Sequence, residues 1–258
     1  MAKIIAITNQ KGGVGKTTTS VNLAAALAAT KRKVLLIDLD PQGNAAMGCG
    51  VNKDELEHSS CELLLEEVPV SAIIIKNKSM GFDLIPGNAD LTAAEVRLMN
   101  APHRERRLAD ALLPVKEQYD YMLIDCPPSL NMLTLNALVA ANSVLIPMQC
   151  EYYSLEGLSS LTATIRDVRD TVNPGLYLEG ILRTIVDNRS RLGKDVSDQL
   201  IEYFGDKVFR TTIPRNIRLA EAPSHGVSVL AYDKSSRGAV AYIALAGEMI
   251  RREKAAKK

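Results

Sequence analysis

The sequence predicts an α/β fold: a mainly parallel, twisted β-sheet covered by helices on both faces. Three observations predict it. Short β-branched and leucine-rich runs alternate with longer Ala/Leu-rich stretches along the chain. The short runs are continuously apolar rather than alternating, as expected of strands buried on both faces. The chain has 258 residues, 47% hydrophobic and 24% charged, enough for a substantial core without a metal or disulfide staple. The apolar runs are evenly spread, and neither a repeat nor a Pro/Ser-rich linker divides them. One domain over residues 1–258 is therefore expected.

The elements follow in order. Lys3–Thr8 (KIIAIT) reads as the first strand, and Thr17–Thr30, rich in Ala and Leu, as the first helix. Lys33–Asp38 (KVLLID), Asp83–Pro86, Tyr121–Asp125 (YMLID), Ser143–Met148 (SVLIPM) and Glu179–Val186 are further strands. Helices are expected near 88–99, 103–117, 130–141, 154–172, 191–204 and 236–254. The basic tail Arg251–Lys258 (RREKAAKK) is expected to fray.

Composition narrows the function classes. Lys and Arg total 31 and Asp and Glu 30, a formal net charge of +1, so any contact with nucleic acid has to come from a local patch. The four cysteines, at 49, 61, 126 and 150, form no C-x-x-C pair and have no histidine at ligand spacing, so buried thiols in a reducing compartment are expected. No signal peptide precedes the first strand, and no apolar stretch reaches the ~18 residues of a membrane span. A cytoplasmic location is expected.

The most informative segment is Asn9–Thr19, NQKGGVGKTTT. It follows a strand and opens a helix, the setting of a phosphate-binding P-loop. Gly12, Gly13 and Gly15, with Val14 between them, let backbone N–H groups converge on phosphate oxygens without Cβ obstruction. The helix N-terminus adds the positive end of its dipole. Lys16 is placed to reach the β- and γ-phosphates, Thr17 to ligate Mg²⁺, and Thr18 to meet the α-phosphate. A plain glycine-rich turn would not need Gly-Lys-Thr in this frame. ATP and Mg²⁺ are thus the expected ligands.

Acids stand at two further strand ends. Asp38-Leu39-Asp40-Pro41-Gln42-Gly43-Asn44 closes the second strand, on the edge where open α/β sheets bind ligands. Asp40 is a candidate to orient or deprotonate a water attacking the γ-phosphate, and Asp38 to stand in the metal's outer shell. An Asx-type turn around Pro41-Gln42-Gly43 is compatible with both roles. Asp125 ends YMLID, which places a carboxylate near Mg²⁺ or its waters.

One departure from the common P-loop is telling: Gln10 replaces the first glycine, and a second lysine, Lys11, follows it. The segment resembles the deviant Walker A motif, K-G-G-x-G-K-[ST], of the ParA/MinD group of ATPases. Together with DLDPQGNA, YDYMLIDCPPSL, IPMQCEYYSLEGL and IPRNIRLAEAPSHG, it makes nearly the whole chain resemble the Soj/ParA chromosome-partitioning ATPases. That resemblance implies a P-loop NTPase-like fold and an ATP-hydrolysing protein of chromosome or plasmid segregation. Its ATP-bound sandwich homodimer would bind double-stranded DNA of the nucleoid without sequence preference, and a ParB-type partner would trigger hydrolysis. It further implies that Lys11 crosses to the partner's phosphates, that Glu151 faces the nucleotide from across the dimer, and that Pro214 and Asn216 lie by the adenine.

Three basic clusters are candidate DNA contacts: Arg183, Arg189, Arg191 and Lys194; Lys207, Arg210, Arg215 and Arg218; and Arg97, Arg104, Arg106 and Arg107. Phosphate neutralisation needs only cations converging on one face. Arg189 and Arg218 match DNA-binding positions of the Soj-like proteins, which favours them with Arg191 and Arg215. The third cluster is interleaved with Glu95 and Glu105. The alternative is a MinD-like membrane-surface ATPase of division or polar placement. RREKAAKK, however, offers no Leu, Phe or Trp to insert, so no membrane partner is expected.

Overall fold

The computed structural model describes residues 2–187 and 189–256. Its strands are β1 Lys3–Ile7, β2 Val34–Asp38, β3 Ile75–Asn77, β4 Phe82–Ile85, β5 Tyr121–Asp125, β6 Ser143–Gln149 and β7 Tyr177–Thr184. They form one sheet in the order β3-β4-β2-β5-β1-β6-β7. Every adjacent pair is parallel except β3 and β4. The chain steps from β1 toward β2 on one side and from β5 toward β6 on the other. This reversal leaves a crevice at the C-terminal ends of β1 and β5, where ligands bind in such sheets.

The first half of the chain forms helices α1 Lys16–Ala29, α2 Asn44–Gly48, α3 Ser60–Leu64, α4 Val70–Ile73, α5 Leu91–Leu98 and α6 Arg107–Leu112. The second half adds α7 Met132–Ala140, α8 Ser154–Thr171, α9 Arg191–Phe204, α10 Ile217–Glu221, α11 Val229–Tyr232 and α12 Arg237–Ala256. Successive strand residues point to opposite faces, so each strand feeds two cores. Leu35, Ile37, Met122 and Ile124 pack in the layer with α5, α7 and α8. Leu36, Leu123 and Leu145 pack with Leu23 and Leu27 of α1 and Tyr242 and Leu245 of α12.

Differences from the expected elements have local causes. The helix expected over 103–117 is Arg107–Leu112 followed by a 3₁₀ turn, because Pro114 cannot donate to the turn before it. The three-residue edge strand β3 is too short to read as a periodic run. The tail expected to fray from Arg251 is helical through Ala256. Arg252 fastens it: the guanidinium donates to Glu248 and to the carbonyls of Asp206 and Val208, and it lies 4.2 Å from the Phe209 ring centroid. Tyr121 adds a hydroxyl bond to Glu253 at 2.6 Å. Lys257 and Lys258 lie outside the described residues. No helix among the described residues is long and apolar enough to cross a membrane.

Two glycines close the lid of chain over α2. Gly226 has φ +63°, and a Cβ there would lie 2.6 Å from Gly50 Cα. Gly226→Ala combines left-handed strain with a backbone collision that no rotamer relieves. It should cost more than about 1 kcal/mol. Thermal unfolding should show a melting temperature lower by at least roughly 2–4 °C; an unchanged midpoint would contradict this packing.

Candidate nucleotide-binding site

The loop after β1 is shaped by Asn9. Beyond Thr8, whose N–H still reaches Leu145 O at 3.2 Å, the sheet has to open for the loop to leave. Asn9 Nδ2 takes over by donating to Pro147 O at 2.8 Å, while its Oδ1 accepts from Lys11 N at 3.0 Å. One side chain thus ends the strand and turns the loop. Gly13 and Gly15 have φ of +74° and +83°, and Gly15 caps the N-terminus of α1. No atom of the described residues lies within 4 Å of a Cβ built on Gly12, Gly13 or Gly15. The loop is an open cradle of N–H groups at a helix N-terminus, suited to an anion.

Lys16, Thr17 and Thr18 occupy the first turn of α1. Lys16 is buried, and its Nζ donates to Lys11 O at 3.2 Å. Burial pushes the ammonium below its usual pKa, and the nearby charges of Asp125 and Asp40 partly restore it. A cation held this way gains strongly from arriving phosphate charge.

The acids converge as the sequence suggests, with unequal freedom. Asp38 is buried, and its two oxygens accept N–H groups from Asp40 and Ala46, each at 3.0 Å. It anchors the turn that carries Asp40. Asp40 in turn accepts from Gln42 N at 3.0 Å, the expected Asx turn. Asp125 accepts from Ser20 Oγ at 2.8 Å through Oδ1. Its Oδ2 is buried and has no hydrogen-bond partner among the described residues. Burial raises the Asp125 carboxyl to about 6, against the opposing pull of Thr17 and Ser20. Burial and then the charge of Asp125 raise Asp38 to about 8. The buried Asp125 oxygen, with no hydrogen bond of good geometry among the described residues and the Thr17 hydroxyl near enough to lower its pKa, fits a hydrated Mg²⁺ bound with nucleotide.

Lys11 reaches Glu151 of its own chain in an ion pair, both side chains about half exposed. Pro214 and Asn216 lie on the segment flanking β7: Val186 forms a parallel bridge with Pro214, and Asn216 caps α10 by accepting from Arg218 N at 3.0 Å. The same bridge places Arg189 and Arg191 on a stretch next to Arg215 and Arg218, so two of the basic clusters adjoin. In the third cluster, Arg97, Arg106 and Arg107 are engaged with Glu67, Asp110 and Glu66.

Sequence reasoning missed three residues of the site. Asn9 and Ser20 were legible in principle, as a polar residue ending an apolar strand and a hydroxyl one turn beyond Lys16. Thr184 was not: its Oγ1 donates to Val14 O at 2.8 Å across 170 residues.

These features define a P-loop nucleotide-binding protein whose phosphate loop carries two lysines. The comparisons with known proteins agree. A family model described as an AAA domain matches residues 2–178. The chain is 53% identical over 249 residues to the sporulation initiation inhibitor protein Soj of Bacillus subtilis (strain 168), covering 96% of this chain and 98% of that one. It is 49% identical over 253 residues to the chromosome partitioning protein ParA of Myxococcus xanthus (strain DK1622), covering 98% and 89%. Among solved structures, cobyrinic acid a,c-diamide synthase from Mycobacterium smegmatis, with bound ATP analogue and magnesium, superposes with TM-score 0.86 at 38% identity, covering 98% and 96%. The chain belongs to the ParA/Soj family of chromosome-partitioning P-loop ATPases.

The raised Asp125 pKa has a measurable sign. The unfolded carboxyl ionises near 3.8 and the folded one near about 6. Between these values the folded state keeps a proton that the unfolded chain has released, so this group's contribution to stability falls as pH climbs from 3.8 to about 6 and stays lower above. Asp125→Asn should therefore gain melting temperature relative to wild type across that window when both are free of nucleotide. A difference independent of pH would mean that Asp125 ionises normally.

Proposed function

We propose that this protein hydrolyses ATP to ADP and phosphate as part of a DNA-partitioning cycle. In that cycle an ATP-bound homodimer holds nucleoid DNA without sequence preference, and a ParB-type protein stimulates hydrolysis to release it. The observation that carries the hydrolytic reading is the orphaned Asp125 oxygen beneath the open glycine cradle, with Lys16 buried beside it. Gly12, Gly13, Val14 and Gly15 present N–H groups to the phosphates, Lys16 neutralises the β- and γ-phosphates, and Thr18 meets the α-phosphate. Thr17 and Asp125 would hold Mg²⁺ directly or through its waters, and Asp38 would act from outside by fixing the turn. Mg²⁺, when bound, would offset the charge that develops on the β- and γ-phosphate oxygens. Asp40 orients the attacking water, and Pro214 and Asn216 flank the base.

Lys11 is the residue that makes the site bimolecular. Within one chain it is spent on Glu151, and both side chains are exposed enough to exchange partners. Tyr152 and Tyr153, 72% and 75% exposed and packed edge to face, stand beside that pair on the rim of the site. Large aromatic side chains left in water beside a nucleotide site suit a face covered by a second copy. Lys11→Ala should keep nucleotide binding by the single subunit and lose dimerisation, hydrolysis or both. A cation acting in trans on transition-state charge is worth roughly 10³–10⁵ in rate. Sedimentation and turnover with ATP test this; a variant that dimerises and turns over like wild type would remove Lys11 from the mechanism.

The DNA reading rests on the adjoining stretches around Arg189 and Arg191 and around Arg215 and Arg218. At a net charge of +1, the protein has no general attraction for a polyanion, so placed arginines have to supply it. Arg189→Glu and Arg218→Glu should each weaken ATP-dependent binding to unrelated duplexes alike, because phosphate contacts carry no base information. Each should also flatten the slope of log affinity against log salt by roughly 2 per dimer. An unchanged slope in both variants would place the DNA surface elsewhere.

A further inference from the structure

The two arginines that lead the DNA face are already held by carboxylates of their own chain. Arg189 Nε and Nη2 donate to the two oxygens of Asp187 at 3.0 and 2.7 Å, a forked pair. The Arg189 side chain is nevertheless 89% exposed. Arg215 adds its field to the same carboxylate, which together with the Arg189 bonds holds Asp187 well below the usual carboxylate range. Arg218 Nη1 donates to Glu221 at 2.8 Å, and its Nε lies 3.4 Å from Asp233. A carboxylate fork offers a guanidinium the same two oxygens, in the same plane, as a backbone phosphate. The pairing differs in kind from that of Arg107, whose side chain is only 14% exposed against Glu66. Around Arg189 and Arg218 the pair stands in solvent, where one anion can replace another.

We propose that Asp187, Glu221 and Asp233 are internal competitors for DNA phosphate: they occupy the DNA-facing arginines in the free protein, and each phosphate contact forms by displacing one of them. The proposal rests on the DNA reading above and adds its regulation. Exposed ion pairs are weak and screened by salt, so displacement is permitted, but every contact is discounted severalfold. A lone subunit brings few contacts, all discounted, whereas two joined subunits bind one polyanion with both sets at once. The competing acids therefore lower the affinity of both forms, and because the discount is paid at every contact it multiplies across the two subunits of the dimer.

The test is a double-mutant cycle. Asp187→Asn keeps an oxygen for the Arg189 backbone N–H, which the aspartate accepts at 3.0 Å, so the turn survives while the charge goes. Glu221→Gln removes the charge facing Arg218 and keeps an oxygen for the Tyr232 hydroxyl, while the Arg218 backbone N–H stays on Asn216. Each is measured alone and combined with Arg189→Ala or Arg218→Ala respectively, by binding to a random-sequence duplex with a non-hydrolysable ATP analogue at fixed salt. Glu202→Gln on α9 serves as control: an exposed acid with no ion pair among the described residues. Each acid variant should bind DNA about threefold tighter per subunit and about tenfold tighter per dimer. The gain should vanish when its arginine is absent, and the control should gain less. A gain that persists without the arginine, or one no larger than that of Glu202→Gln, overturns the competition. If Arg189→Ala and Arg218→Ala alone leave DNA binding intact, the DNA face itself is misplaced and the competition falls with it.

Discussion

The organisation of this molecule follows from burying charge at the ends of parallel strands before the ligand that compensates it has arrived. Asp125 and Asp38 close the two adjacent strands β5 and β2, in register with each other, and Lys16 is buried close by. A buried carboxylate without a full set of partners is costly. The chain meets that cost with backbone: two N–H groups hold Asp38, and one hydroxyl, Ser20, holds half of Asp125. The half left over has no hydrogen bond of good geometry among the described residues. Asp38 anchors the 40–46 turn and thereby fixes Asp40, while the Ser20 oxygen, one turn below Lys16, lies within reach of both the Lys16 carbonyl and Asp125 and shares its one proton between them. The acid-bearing strand ends and the first helix thus meet at Ser20.

A second constraint joins this unit to the arginine-bearing surface. Thr184, the last residue of β7, is tied to the phosphate loop at Val14, and both groups are buried. Two residues on, Val186 exchanges backbone bonds with the neighbouring segment, donating to Ile213 O and accepting from Arg215 N, each at 3.0 Å. Between them Ile185 has φ +53°, a left-handed conformation that a β-branched residue adopts only under compulsion, at a cost of about 1–3 kcal/mol. The two flanking sets of hydrogen bonds supply that compulsion. They let the chain turn sharply from the phosphate loop to the stretch carrying Asp187 and Arg189 without a glycine.

How much of this was legible in the sequence depends on the range of the interaction. The sheet strands read correctly where a continuous apolar run ended in an acid, as in KVLLID and YMLID, because burial on both faces and ligand position are both written locally. The loop between β1 and α1 was legible because its glycines, two of them at positive φ, and the start of the helix lie within eleven residues of one another. The 103–117 helix was overextended because Ala and Leu content outweighed Pro114. The C-terminal tail was misjudged because its order comes from Phe209, Glu248 and two carbonyls near residue 207 rather than from its own composition. Asn9, Thr184 and the strained Ile185 depend on partners 138, 170 and 27 residues away, and no local pattern records them. The arginines were legible as cations. Their pairing with Asp187, Glu221 and Asp233 needed only spacings of two, three and fifteen residues, but a charge count records such neighbours as cancellation and not as ion pairs.

In the proposed partitioning cycle, that distinction bears on why a near-neutral chain would suit reversible binding to DNA. A strongly basic surface would hold a polyanion in every nucleotide state, since each contact adds favourable counterion release. Here total charge is balanced almost residue for residue, and cations and acids alternate on the very stretches that adjoin the nucleotide site. In that proposed cycle affinity would depend on how many discounted contacts act together, not on the charge of one subunit, and ATP would change the number of subunits joined across the Lys11 rim. The bond from Thr184 to Val14 and the bridge from Val186 to Pro214 tie the arginine-bearing stretches to the phosphate loop, so contacts made there in the proposed cycle would lie within a few residues of the nucleotide site.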